Sequence, residues 1–261
     1  IIKLIAQNEI GQVDFKQIFS YLIMQSICGI IAYLITSKYF KRSIPESIIW
    51  ALTVALSNHV TLLLPITEIY FQQNVITQVA SIILMDGIIL LSVIAFFLEL
   101  STKKNVNLFN FIKNLFLNPF ILSIIIGLLF LLLNFNIDQT PIEYTLSKLA
   151  ACVSPVGLFA IGITLSFYTK NVINKLSVSI SVLKLVISPI ILLLIGLVFF
   201  NAGLPAEIPG AFFVSVAPCG VTSIVLCAAY NVSPENIIKA IFVSTIASIG
   251  TIFFAIKYLT L

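Results

Sequence analysis

Eight apolar stretches, each long enough to cross a bilayer as a helix, occupy most of the 261-residue chain. A window of about 19 residues delimits them as segments A 17–36, B 45–66, C 75–99, D 118–135, E 142–168, F 177–200, G 206–229 and H 235–260. About 20 helical residues span the roughly 30 Å hydrocarbon layer. Barrel strands would show short alternating runs, which this chain lacks. Hydrophobic residues make up 60% and charged residues 9%, against about 45–50% and 25% in soluble domains. A chain of this size cannot enclose so much apolar side chain in water. Soluble enzymes, disordered regulators and nucleic-acid binders are excluded. The expectation is an all-α integral membrane protein with the lipid bilayer as partner and no nucleic acid.

Loop charge alternates. Lys38, Lys41 and Arg42 lie between A and B, Lys103, Lys104 and Lys113 between C and D, and Lys170 and Lys175 between E and F. The other connections carry Glu68, Asp138, Glu143 and Glu207. The positive-inside rule places the basic loops in the cytoplasm and the C-terminus on the opposite side. Compact loops and the Ile- and Asn-rich composition point to a multi-pass protein of a bacterial inner (plasma) membrane.

The segments repeat. A begins near 17 and F near 177, C near 75 and H near 235, and the interruptions at Asn58 and Pro218 fall at the same offset of 160. A–C and F–H run in opposite directions, so the reading is an inverted repeat, a common plan of secondary transporters. D and E precede F–H, so two partners are expected before A–C. Shifting D and E back by 160 makes residues 1–8 the tail of a truncated helix and puts about 42 residues before Ile1. The full protein would then hold ten helices in two halves of five.

Polar groups interrupt the apolar runs at few points. Asn58, His59 and Thr61 break B, and Pro218, Cys219, Gly220, Thr222 and Ser223 break G. Asn58 lies 13 residues into B and Pro218 12 into G, about 18–20 Å deep at 1.5 Å per residue. Proline removes a backbone donor and glycine loosens the turn. Broken backbone at that depth needs protein or a water-filled cavity around it. Each break also opens the N-terminal end of a half-helix, with unpaired N–H groups that favour an anion. Asp86 is the one acid in mid-span, and Lys184 in F is its natural opposite as a buried ion pair or coupling site. His59 is the only histidine and the four cysteines form no CxxC, so neither a metal site nor a cofactor is expected. Cys28, Cys152, Cys219 and Cys227 read as small buried hydrophobes. No nucleotide loop and no catalytic constellation is present. The chain reads as a non-enzyme.

Asn118-Pro119 with an apolar run to Gly127, Pro155 with Leu158-Phe159-Ala160-Ile161-Gly162, Lys184-Leu185 with Pro189, Ala217-Pro218, Tyr230 and Ser244-Thr245 follow in a characteristic order. With these the chain resembles the auxin efflux carrier family of membrane transporters. Asn58 and Pro65 match the ends of that family's Asn-Thr-Gly-x-x-Gly-x-Pro stretch, while His59 replaces its Thr and Val60 and Leu63 its glycines. The resemblance implies a ten-helix inverted-repeat fold shared with the bile-acid:sodium symporters. It assigns residues 1–8 and 118–168 to a scaffold, and 17–99 and 177–260 to an elevator-like moving domain in which B and G cross. It implies a small organic anion, a carboxylate or auxin-like molecule, bound where B and G cross. Val153 to Phe159 would wall that site, with Leu158 and Phe159 against the apolar part of the substrate. D and E, as scaffold, offer the contact surface for a homodimer. The alternative is a membrane sensor that keeps the fold without transport.

Overall fold

Helices begin where a short polar side chain can cap them. Asp14 accepts the Lys16 amide at 2.9 Å, and Asn174 accepts that of Ser177 at 2.9 Å. Thr140 does the same for Glu143 at 3.2 Å. The structure, a computed structural model, describes residues 2–6, 14–102, 116, 119–133, 135–168 and 171–260. The helices are α1 Ile2–Ala6, α2 Phe15–Leu34, α3 Ile44–Ala55, α4 Leu64–Tyr70, α5 Gln73–Met85, α6 Leu91–Thr102, α7 Pro119–Leu132, α8 Pro141–Ser166, α9 Lys175–Val182, α10 Ser188–Phe200, α11 Pro209–Ser215, α12 Thr222–Ala229 and α13 Glu235–Thr260. Among the described residues there is no strand, only one isolated antiparallel bridge between Ser57 and Cys219.

Wider π-helical turns punctuate these rods. They cover Ile35–Tyr39 after α2, His59–Leu63 before α4, Asp86–Leu90 between α5 and α6, and Leu183–Ile187 between α9 and α10. Pro65 and Pro189 each follow such a turn by two residues. A proline ring crowds the carbonyl four residues back, and the wide turn relieves that clash without ending the rod.

Five continuous apolar helices are long enough to cross a membrane: Phe15–Tyr39, Gln73–Thr102, Pro141–Ser166, Lys175–Phe200 and Glu235–Thr260. They correspond to segments A, C, E, F and H. B and G differ from single spans, because each is two short helices around a break, and D is seen as Pro119–Leu132. Gln7, Asn8, Lys103, Lys104, Lys113, Asn118 and Lys170 of the sequence reading lie outside the described residues.

The core is built by α2, α3, α5, α10, α11 and α13. Tyr21, Trp50, Leu52 and Phe213 at its centre are fully buried. In contrast, α8 buries none of its residues, and Tyr144, Leu149, Val156 and Phe159 are exposed on it. An apolar helix open on nearly every side suits lipid as its solvent. Cys152, expected to be buried, is exposed on this helix, whereas Cys28, Cys219 and Cys227 are buried as expected.

Helix α8 packs against the His59–Leu63 turn, and also touches α13 and α1. Gly157 makes that approach possible: a Cβ there would lie 2.5 Å from Thr61 Cγ2. Thr61 is β-branched and cannot swing the methyl aside cheaply. Gly157→Ala should therefore destabilise the protein by about 1–3 kcal/mol, read as a lower unfolding midpoint in detergent. Adding Thr61→Ser removes the offending methyl and should restore most of the loss; a double variant no more stable than Gly157→Ala would show that the two do not meet.

Candidate functional site

The last helical amide of α3 is followed by extended backbone at Leu56, with φ −79° and ψ 128°. Helix α11 ends at Ser215, and helical structure resumes only at Thr222. The groups released by one break are satisfied by the other. Asn58 N donates to Pro218 O at 2.9 Å, and Gly220 N donates to Thr53 O at 3.1 Å. Side chains complete the set: Ser57 Oγ donates to Val214 O at 2.9 Å, and Thr251 Oγ1 to Val216 O at 2.9 Å. The Cys219 amide donates to Ser244 Oγ at 3.2 Å. Gly220 is required here, because a Cβ would stand 2.8 Å from Leu56 O. These bonds meet the rule that backbone inside a bilayer must find its partners in the protein.

Buried ionisable groups gather beside the breaks. Lys184 Nζ donates to Ser57 Oγ at 2.7 Å, and Tyr21 OH lies 3.3 Å from the same oxygen. Ser57 gives its single proton to Val214 O, so it accepts from both Lys184 and Tyr21. His59 Nε2 and Asp86 Oδ2 are 3.0 Å apart. Asp86 and Lys184 are both fully buried. The direct Asp86–Lys184 pair expected from the sequence is not formed: the carboxylate is paired with His59 and the lysine with Ser57. The reason is position, since Ser57 and His59 flank Asn58 on the break, and Ser57 reaches the lysine while His59 reaches the carboxylate. Lys184 remains close enough to Asp86 to interact electrostatically.

Three of these side chains keep a buried polar atom without a hydrogen-bond partner: Asn58 Nδ2, His59 Nδ1 and Asp86 Oδ1. A fourth, Gln25 Oε1 on α2, is in the same condition. Such atoms cost about 1–3 kcal/mol each and call for an explanation. No side chain caps the first turn of the His59–Leu63 segment or of α12. The N-terminus of α11, by contrast, is capped, by Gln78 Oε1 on Gly210 N and Gln17 Oε1 on Ala211 N, both at 3.1 Å.

A cleft of about 750 Å³ runs between α1, α7 and α8 on one side and the first break with α4 and α5 on the other. Val60, Leu64 and Ile83 face Leu149, Val153 and Ser154 across it. Lys3 lines it too, held by Glu143 at 3.1 Å and Ser147 at 2.9 Å. The volume suits a small-molecule site. Of the expected wall, Val153 and Ser154 line the cleft, while Leu158 and Phe159 lie outside it, because helical geometry turns Phe159 outward, where it is exposed.

The predicted residues are distributed unevenly. Asn58, His59 and Thr61 sit together on the first break, buried on either side of the cleft-lining Val60. Pro218, Cys219 and Gly220 hold that break through backbone contacts. Ser223 donates to Gly220 O at 2.7 Å, and Thr222 opens α12 half-buried. Tyr21, Gln25 and Ser57 were missed; a glutamine within the otherwise apolar run of segment A was the available signal.

The family of membrane transport proteins matches this chain over residues 1–256. No curated protein matches it. The breaks, the buried polar cluster and the cleft beside them thus belong to a transporter: the chain is a member of the membrane transport protein family, that of the auxin efflux carriers.

Proposed function

We propose that the chain is a secondary transporter of a small organic anion, a carboxylate or auxin-like molecule, working by alternating access. The observation that carries this is the pair of buried nitrogens without partners on consecutive residues, Asn58 Nδ2 and His59 Nδ1. They lie at a helix start with no side-chain cap, one and two residues before Val60, which lines a cleft of about 750 Å³. Asn58 donates to the carboxylate, with Thr61, Thr222 and Ser223 completing the site and Pro218, Cys219 and Gly220 holding the backbone open. The apolar walls of the cleft receive the rest of the substrate.

An inverted repeat underlies this reading. Residues related by a two-fold axis touch their own counterparts only on the axis. Two pairs offset by 160 residues do so: Asn58 with Pro218, and Cys28 with Ser188, at 3.3 Å. The caps Asp14 and Asn174 and the left-handed residues Lys41 and Asn201, each with φ 51°, share the offset. Residues 1–8 and 118–168 act as the scaffold, and 17–99 with 177–260 move past it as an elevator, with the two broken helices crossing at its centre. The protein resides in a bacterial inner membrane with its C-terminus on the non-cytoplasmic side, and α7 and α8 are the surface for a homodimer. A transport-inactive sensor is the second reading, favoured by Leu63. It stands where the family has glycine and is fully buried, which stiffens the turn.

Uptake of radiolabelled malonate and indole-3-acetate into proteoliposomes separates the two readings, since a sensor binds without flux. Asn58→Ala should reduce binding of the transported anion at least tenfold at wild-type folded yield. Normal binding by this variant would place the site elsewhere.

Cross-linking tests the elevator. The Cβ positions of residues 61 and 157 are 3.7 Å apart when Gly157 is given a Cβ, which suits a disulfide. Oxidised Thr61→Cys/Gly157→Cys protein should lose transport and regain it on reduction, whereas Ser188→Cys oxidised to Cys28 should transport in both states. Equal flux in the oxidised and reduced forms of the first variant would exclude sliding of α8 past the break.

A further inference from the structure

We propose that the His59–Asp86 pair carries a coupling proton, so that an anion loads at Asn58 only together with one proton on His59 Nδ1. The inference rests on the anion-carrier reading above and adds its driving ion.

The argument is one of proton placement. His59 Nε2 and Asp86 Oδ2 are 3.0 Å apart, and both side chains are buried. When the pair holds one proton, it lies between these two atoms. The other tautomer would set the lone pair of Nε2 against a carboxylate oxygen. His59 Nδ1 is then bare and can only accept. Nδ1 has no partner in the protein, and neither has Asn58 Nδ2 on the preceding residue. A carboxylate drawn to the Asn58 amide therefore meets a second acceptor on the next residue, and two acceptors repel. The pair has two free sites for a second proton, His59 Nδ1 and Asp86 Oδ1. Placed on the ring, as an arriving carboxylate at Asn58 favours, it makes Nδ1 a donor, whichever way the first is shared between Nε2 and Oδ2. Asn58 and His59 then present two adjacent donors to one anion. One proton and one carboxylate enter together and leave together, no bond to carbon changes, and a monoanion moves with no net charge.

The groups facing the pair do not substitute for it. Lys184, from the wide turn between α9 and α10, donates to Ser57 Oγ at 2.7 Å. Tyr21 of α2 turns its hydroxyl to the same oxygen at 3.3 Å. Gln25 of α2 is neutral, Cys28 of α2 is in contact with Ser188, and Cys219 of the second break is held through its amide by Ser244. Histidine is the side chain whose proton exchanges within the physiological range, and His59 is the only one in the chain.

The test uses the full chain carrying a histidine-free purification tag, with malonate and indole-3-acetate as probes. Calorimetric titration in phosphate and in Tris reads protons taken up per anion. The proposal expects one proton per anion and affinity falling about tenfold per pH unit on the alkaline side. With histidine isotopically labelled, the single imidazole should pass from the Nε2–H tautomer to the doubly protonated ring when the anion binds. His59→Gln, which still donates to Asp86 but does not titrate, should bind weakly at pH 6 and show a flat profile. Binding by the wild type without proton uptake, or an imidazole unchanged at saturation, overturns the coupling and leaves the anion site standing. A pH profile that survives in His59→Gln and disappears in Lys184→Met assigns the proton elsewhere and also overturns it. Wild-type protein that binds neither probe at pH 5.5 or 8.0 overturns the anion site and the coupling together.

Discussion

A helix broken inside a bilayer leaves amides and carbonyls that no water can reach, and the architecture is organised around meeting that demand. Asn58 N reaches Pro218 O and Gly220 N reaches Thr53 O, so each break is the partner of the other. Neither interruption is tolerable alone, since an unsatisfied group in hydrocarbon costs several kcal/mol. Helices α2, α5, α10 and α13 pack around this junction and bury it. The close approach needs Gly220, and Pro218 supplies a carbonyl while having no amide of its own to satisfy. The bond from Asn58 to Pro218 thus runs in one direction only, and the junction is asymmetric.

The same junction explains how a lysine, a histidine and an aspartate coexist without solvent. Each is placed on or beside a widened helical turn: His59 opens one, Asp86 opens another, and Lys184 is the second residue of a third. A widened turn displaces side chains from regular helical spacing and frees backbone groups locally, which is why such turns recur at functional positions. Ser57, a small side chain, accepts from Lys184 and Tyr21 while donating to Val214 O. Through it the buried lysine is tied to the carbonyl framework of the second break.

Much of this was legible in the amino-acid sequence. The long helices follow from hydropathy alone: C, expected over 75–99, runs Gln73–Thr102, and H, expected over 235–260, runs Glu235–Thr260. The interruptions announced themselves as Asn58-His59 and Pro218-Cys219 in apolar surroundings. Pairing was not legible. Asp86 meets His59 and not Lys184 because of how three helices rotate against one another, and no spacing along the chain encodes that rotation. Ser57 was invisible for a different reason: serine is common in membrane helices, and its role depends on what lies 127 residues away. That Leu158 and Phe159 lie outside the cleft was not legible either, because a helix apolar all round carries no periodicity to orient it.

The two glutamines on the N-terminus of α11 bear on how the chain assembles. Gly210 N is held by Gln78, 132 residues earlier, and Ala211 N by Gln17, 194 residues earlier. Contacts this remote in sequence form late, since a long loop must close before they stabilise anything. During synthesis, Gln17 and Gln78 enter the membrane well before the amides they cap. Gln17 meanwhile has Asp14, which accepts from its Nε2 at 3.1 Å, but both glutamine oxygens wait for their amides until residue 211 has been inserted. Segments far apart in the chain are thus interleaved at the level of single hydrogen bonds, and the N-terminus of α11 is complete only when α2 and α5 are both in place.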